Sequence, residues 1–313
     1  MNDARGRVAV VGSLNMDLVA RAPRLPQPGE TLAGHTFAQV PGGKGGNQAV
    51  AAARLGAQVA MLGCVGADAN GAQLRAGLEA EHIDCAALEA SASAPTGVAL
   101  IIVDDSSQNA IVIVAGSNGE VTPASVARHE AVLAAAEVVV CQLETPPDAV
   151  HAALAAARRL GKTVVLNPAP ATGALPAHWL PLVDYLIPNE LEAATLTGLP
   201  VRTPDDAAAA AAALRRAGAR NVIVTLGAQG VLAALGDADA EAVHFAVPPV
   251  NAVDTTAAGD TFIGGFAAQL AQGAPVADAI RFAQRAAAIS VTRAGAQPSI
   301  PTRAEVDAQG PPI

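Results

Sequence analysis

Two glycine-bearing stretches carry residue types suited to binding a phosphate or another close-fitting ligand. In "VDTTAAGDTFIGGFAAQLAQG", residues 253–273, small residues lead directly into an amphipathic helix. The free N–H groups of a helix start make an anion site that the helix dipole reinforces. Asp260 falls in that first turn. As a plain helix-favouring residue it contributes a few tenths to ~1 kcal/mol. Beside a bound anion it is instead placed to take a proton from an attacking hydroxyl.

The second stretch, "PGGKGGNQAV" at 41–50, has the outline of a P-loop but fails its test. That motif needs Ser or Thr after its lysine to hold Mg²⁺, and a glycine five positions before the second one. Here Gly45 follows Lys44, and Ala38 stands five before Gly43. The glycines then serve close backbone approach to a ligand, with a helix opening at Asn47, where the bland reading is a helix cap.

Positioning such groups requires a framework. Of 313 residues, 51% are apolar and only 2% aromatic, so the core is Ala/Val/Leu packing of the kind that lays helices on a parallel sheet. A formal net charge of −9 without Lys/Arg runs argues against nucleic acid or an anionic membrane as partner. Cys64, Cys85 and Cys141 are odd in number, lack CxxC spacing and sit in or beside apolar sequence. They read as buried free thiols in a reducing compartment. No cleavage pattern follows the first apolar run, and no stretch approaches about 18 apolar residues of membrane type. A cytoplasmic protein is expected.

Strand-like runs "RVAVVGSLN", "AQVAMLGCVG", "EVVVCQLE", "TVVLNPAP", "VDYLIPNE" and "NVIVTLG" are interleaved with helical patterns such as "NQAVAAARLG" and "DANGAQLRAGLEAEHI". "GVLAAL" and "EAVHFAVP" add strands, and helices over 259–272 and 275–293 follow. The alternation implies an α/β fold, a doubly wound, mostly parallel sheet flanked by helices. Residues 17–40 and 96–115 instead alternate apolar with polar around turn signals, as hairpins do. Paired, they form a small antiparallel β lid on a core built from 1–16, 41–95 and 116–313. Ligands bind beyond the carboxyl ends of strands in such sheets, which puts Asn15, Glu144, Asn167, Asn189 and Thr225 on one rim.

"AGDTF" after a strand, together with "GGKGGNQAV", resembles the paired signature of the ribokinase-like (PfkB) carbohydrate kinases. "GSLNMD", "CQLETP", "LNPAP", "IPNELEA", "VTLGAQG" and "VTRAGAQPSIP" extend the resemblance, in order, across almost the whole chain. It implies transfer of the γ-phosphate of ATP to the 5-hydroxyl of D-ribose, with Mg²⁺ and an activating K⁺. Deoxyribose, fructose, ketodeoxygluconate or a nucleoside is the alternative acceptor, and a non-catalytic sugar-binding protein the alternative class. A phosphosugar fits poorly, since the pocket offers Lys44 and no arginine cluster. Exposed strand edges and apolar faces on the hairpins suggest a homodimer paired through the lids.

By the same resemblance Asn15, Asp17, Lys44, Asn47 and Glu144, with the backbone of Gly43, would hydrogen-bond sugar hydroxyls, which need paired donors and acceptors. Asp260 would be the general base, and the amides of Ala257, Ala258, Gly259 and Asp260 the anion hole. Asn189 and Glu192 would order Mg²⁺ largely through water. Thr225, Leu226, Gly227 and Gly230 would form the nucleotide loop, with Gly259 and Gln284 also towards the nucleotide. Asp254, Thr256, Ser290, Arg293, Gly295 and Ser299 would cage K⁺. Two positions depart from the family pattern: Gln284 replaces His or Asn near adenine, and Ile263 replaces Asn. Met16, between two sugar ligands, is expected to tune preference near the anomeric carbon or C2. The plain alternatives are a turn at Asp17, a solvated Glu144, an N-capped helix at Asn189 and a bracing role for Asp254.

Overall fold

Alternate residues of the first strand feed two separate apolar layers, as a strand covered on both faces must. The strand is β1 (Arg7–Val11); Val8 and Val10 join one layer, Ala9 and Val11 the other. The computed structural model describes residues 6–106, 108–236 and 240–310. After β1 come β2 (Asn15–Ala22), β3 (Thr36–Gly42), α1 (Lys44–Arg54), β4 (Gln58–Gly66), α2 (Ala69–Ala80) and β5 (Leu88–Ser91). Then follow β6 (Gly97–Asp104), β7 (Asn109–Val114), α3 (Pro123–Arg128), α4 (Glu130–Ala135), β8 (Val138–Cys141), α5 (Pro147–Arg159) and β9 (Thr163–Leu166). The rest are β10 (Tyr185–Leu186), α6 (Glu190–Thr197), α7 (Pro204–Arg216), β11 (Asn221–Thr225), β12 (Val231–Ala234), β13 (Val243–Phe245), α8 (Ala258–Ala271), α9 (Val276–Ser290) and α10 (Arg303–Ala308).

The main sheet has nine strands in the order β13-β12-β11-β10-β9-β8-β1-β4-β5. It is parallel from β5 to β11, and β12 and β13 close one edge antiparallel. Helices α1, α8 and α9 cover one face, and α5, α6 and α7 the other. Close packing of α1 on α8 depends on Gly264, where a Cβ would lie 2.5 Å from Ala51 Cβ. Trp179, the single tryptophan, is 5% exposed in the α5 layer, its ring stacked 5.9 Å from that of His151. Cys64, Cys85 and Cys141 are buried and free, as expected. Among the described residues no helix is long and apolar enough to cross a membrane.

The second sheet has the order β3-β2-β6-β7. Each hairpin is antiparallel, β2 with β3 and β6 with β7, while the seam joining them, β2 to β6, is parallel. This sheet reaches further into the chain than the hairpin pattern, taking in Asn15, Met16, Pro41 and Gly42. Met16, between Asn15 and Asp17, has 0% exposure and packs in the α1/α8 layer. In "VDYLIPNE" the regular ladder covers Tyr185 and Leu186 and breaks at Pro188, which lacks an N–H, with one isolated bridge beyond it from Asn189 to Thr225. β5 and α10 are additions that the sequence pattern did not reveal.

Candidate active site

Helix α8 begins at an unusual residue. Ala257 precedes it with φ 59° and ψ 13°, a left-handed conformation that costs a non-glycine residue roughly 1–2 kcal/mol. With Ala258, Gly259 and Asp260 it lines a cleft of about 200 Å³, closed on other sides by Lys44, Asn189, Glu192 and Thr225. Asp260 is 7% exposed. Its Oδ2 accepts from Asn47 Nδ2 at 3.0 Å and its Oδ1 from Gln48 Nε2 at 2.8 Å.

Helix α1 starts three residues earlier than its apolar pattern suggested, with Gly43 as the cap position and no side-chain cap. The cap reading of Asn47 is therefore corrected: the residue sits inside the helix, and its side chain is free to reach Asp260. The glycines meet the chain's own backbone. A Cβ at Gly43, where φ is 83°, would lie 2.7 Å from Asn15 N, and one at Gly45 2.6 Å from Ser13 N. A Cβ at Gly42 would strike Asp17 Oδ2 at 2.3 Å, so Asp17 lies tucked against the loop.

Glu144 is held, not solvated. Its Oε2 accepts from Ser13 Oγ at 2.5 Å and from Lys44 N at 3.1 Å. Asn15 Oδ1 accepts from Asn118 Nδ2 at 2.8 Å. Asn118 also bonds both backbone groups of Leu14, standing in for a neighbouring strand. Asn15, Asp17, Lys44, Asn47, Glu144 and Asp260 are thus gathered around the junction of β1, β2, α1 and α8. Burial works against a charged Lys44, but Asp260, Glu144 and Glu192 outweigh it and raise its pKa. Burial, then Glu144 and Asp260, push Asp17 up to about 7. Glu192 is raised as well, chiefly by burial.

At the other end of the cleft Asn189 and Glu192 form a capping box for α6. Asn189 N and Nδ2 donate to the two Glu192 oxygens at 2.9 and 3.0 Å. The N-cap alternative is therefore correct, and it leaves Glu192 lone pairs beside the cleft. A single carboxylate there suits a largely hydrated Mg²⁺. Among the described residues no group of three His, Cys, Asp or Glu forms a closed cage.

Thr225 bridges to Asn189 and lines the cleft, whereas Leu226 is 1% exposed and offers only backbone. Gly230, with φ 91°, passes so close to β13 that a Cβ would lie 2.2 Å from Phe245 O. Gln284 stands outside the cleft lining: it is 8% exposed and donates to Phe245 O at 2.7 Å. Ile263 does line it, as an apolar wall.

The proposed cation residues lie on adjoining loops. Val253 N donates to Val291 O at 2.7 Å and Gly295 N to Asp254 Oδ2 at 2.9 Å. Asp254 Oδ1 also accepts from Thr256 N and Oγ1 at 2.9 and 2.6 Å, so it does brace the turn. Three of its roughly four lone-pair sites are used, leaving one for a cation. Ser290 and Ser299 are fully buried and donate to Ala287 O and Ala296 O, keeping their oxygens as acceptors. Arg293 ion-pairs with Glu305 at 2.5 Å, which leaves only its carbonyl for such a role.

Ser13, Gln48, Asn118 and Gln142 belong to this region and were not singled out from the sequence. The available signal was position: each is polar and stands within three residues of a proposed ligand or at a strand-helix junction.

A profile of the pfkB family carbohydrate kinases matches residues 5–303. A ribokinase of Haemophilus influenzae is 44% identical over 301 residues, covering 96% of this chain and 97% of that one. A deoxyribokinase of Salmonella typhi is 40% identical over 295 residues, 94% of this chain and 95% of that one. Among solved structures, Arabidopsis thaliana ribokinase complexed with ribose and ATP superposes with a TM-score of 0.90 at 31% identity, over 96% of this chain and 97% of that one.

Proposed function

The chain belongs to the pfkB family of carbohydrate kinases and is an ATP-dependent sugar kinase, and from that premise we propose that it phosphorylates the 5-hydroxyl of D-ribose. The observation that carries the reading is the buried Asp260 carboxylate, engaged on both oxygens and facing a cleft that also holds Lys44 and Glu192. Asn15, Asp17, Lys44, Asn47 and Glu144 bind the sugar hydroxyls. Asp260 takes the proton of the 5-hydroxyl as its oxygen attacks the γ-phosphorus and ADP leaves. The helix-start amides at Ala257 to Asp260 receive the transferring group. ATP lies along Thr225 to Gly230 with its phosphates towards Glu192. Mg²⁺ ordered by Asn189 and Glu192 would neutralise phosphate charge, and K⁺ between the Asp254 and Gly295 loops would reinforce the anion hole.

The deoxyribokinase relative supports a second acceptor, 2-deoxyribose, which differs by one hydroxyl. ADP release with Mg-ATP and K⁺ against ribose, deoxyribose, fructose and adenosine decides between them. Asp260→Asn should lower kcat on the order of 10²–10⁴-fold; an undiminished rate removes Asp260 as the base. Tight ribose binding without ADP formation would remove the kinase reading.

The small sheet serves as a lid, so ribose should protect 17–40 and 96–115 from hydrogen exchange. A homodimer through these sheets is supported by their bare apolar surface: Phe37 is 63% exposed, Leu100 45%, and Ile111 to Val114 48–59%. Sedimentation at micromolar protein should give twice the chain mass, and a monomer counts against the pairing.

A further inference from the structure

Gln48 and Gln142 are fully buried and lie outside the cleft lining, yet they are joined to its acid. Gln142 Nε2 donates to Gln48 Oε1 at 2.7 Å. Gln48 Nε2 donates to Asp260 Oδ1 at 2.8 Å and to Asn167 Oδ1 at 3.2 Å. Asn167 Nδ2 donates to the Ile187 carbonyl at 3.0 Å.

An amide has one donating and one accepting end, so each link fixes the next. The Ile187 carbonyl only accepts, so Asn167 must turn its oxygen to Gln48. The Asp260 carboxylate also accepts. Gln48 therefore points its NH₂ at both and its oxygen at Gln142, which in turn must point its NH₂ at Gln48. The chain has one allowed direction.

Its far end is left open. Gln142 Oε1 is buried without a hydrogen-bond partner among the described residues. It is pressed against Gly12, where a Cβ would fall 1.9 Å from it. An orphaned buried acceptor is unfavourable for folding. Its presence points to a use other than stability.

We propose that Gln142 and Gln48 are positioning residues for phosphoryl transfer, holding the Asp260 carboxylate through this one-way amide chain in the orientation that meets the acceptor hydroxyl. The inference rests on the reading of Asp260 as the base. Asn47 holds the other carboxylate oxygen, so with Gln48 in place neither oxygen can turn away. Without Gln142, Gln48 Oε1 loses its donor and is left buried without a partner, so the Gln48 side chain is no longer held from behind against Asp260.

Gln142→Met keeps the length of the side chain and deletes both polar ends, including the orphan. The expected result is a fall in kcat of about tenfold or more, with KM for ribose and ATP and the melting temperature unchanged. Added to Asp260→Asn, the substitution should cause no further loss, because its effect passes through that carboxylate. An unchanged kcat, a loss additive with Asp260→Asn, or a rise in KM in place of the fall in kcat overturns the proposal. Should Gln142→Met not fold, Gln48→Met in the same cycle decides by the same criteria. If Asp260→Asn collapses while Gln142→Met is fully active, only the positioning role fails. If Asp260→Asn itself retains full turnover, the base reading fails and the positioning role with it.

Discussion

Helices α7 and α10 begin differently from α1 and α8. Thr203 accepts from Asp206 N and Thr302 from Glu305 N, each within a capping box. Neither α1 nor α8 has a side-chain cap; they start from Gly43 and Ala257, both with positive φ. The difference lies in what satisfies each start. A side-chain cap satisfies the first N–H groups internally and contributes about 1 kcal/mol. At α1 distant groups take those donors instead, Lys44 N bonding Glu144 Oε2 and Gly45 N bonding Ser13 Oγ, whereas α6 opens on the same cleft with a capping box. The two helices that carry Lys44, Asn47 and Asp260 therefore forgo local stability, and packing of α1 on α8 supplies it from elsewhere.

The comparison breaks most visibly at Gly43. Alanine there would place a Cβ 2.7 Å from Asn15 N at a φ of 83°. Displacing the loop should lower turnover on the order of 100-fold, and a rate within twofold of the parent would make the glycine start a mere folding convenience.

Asp17→Asn sharpens the contrast by separating binding from stability. Sugar affinity, read by calorimetry, should fall about tenfold for a lost hydrogen bond to a charged acceptor. Burial, Glu144 and Asp260 hold Asp17 at about 7 against an ordinary 3.8. Between those values the folded chain keeps a proton that the unfolded chain has lost, so this group's contribution to stability declines as pH rises through that window. The asparagine variant should accordingly melt higher than the parent at pH 8 and alike at pH 4. Equal melting at both would show that the carboxylate is not destabilising.

The smallest effect belongs to the conventional start. Thr203→Ala should lower stability by about 1 kcal/mol, seen as a melting temperature lower by roughly 2–4 °C, with kcat and KM unaltered. A kinetic change from that variant would mean that the start of α7 also communicates with the cleft.

The order of strands and helices was legible because apolar runs and 3.6-residue patterns are local signals. Of the five residues placed on one rim, Asn167, Asn189 and Thr225 line the cleft, while Asn15 and Glu144 lie at the neighbouring β2–α1 junction. Local signals misplace the start of α1, since Lys44-Gly45-Gly46 reads as loop and becomes helix only when pressed onto Ser13 and Leu14. They also miss the amide chain, whose links span 94 and 212 positions. Met16 differs from its neighbours Asn15 and Asp17, since alternation along β2 turns it to the other face, into the core.

The sparse aromatic content has an optical consequence. Trp179 is the sole indole, sealed in the α5 layer beside His151, and it is absent from the cleft lining. Native emission therefore follows global unfolding and meets no ligand in the cleft directly. A tryptophan introduced at Phe37, exposed on the small sheet, would add a second emission to the single buried one, and its response to sugar would report whether that sheet moves.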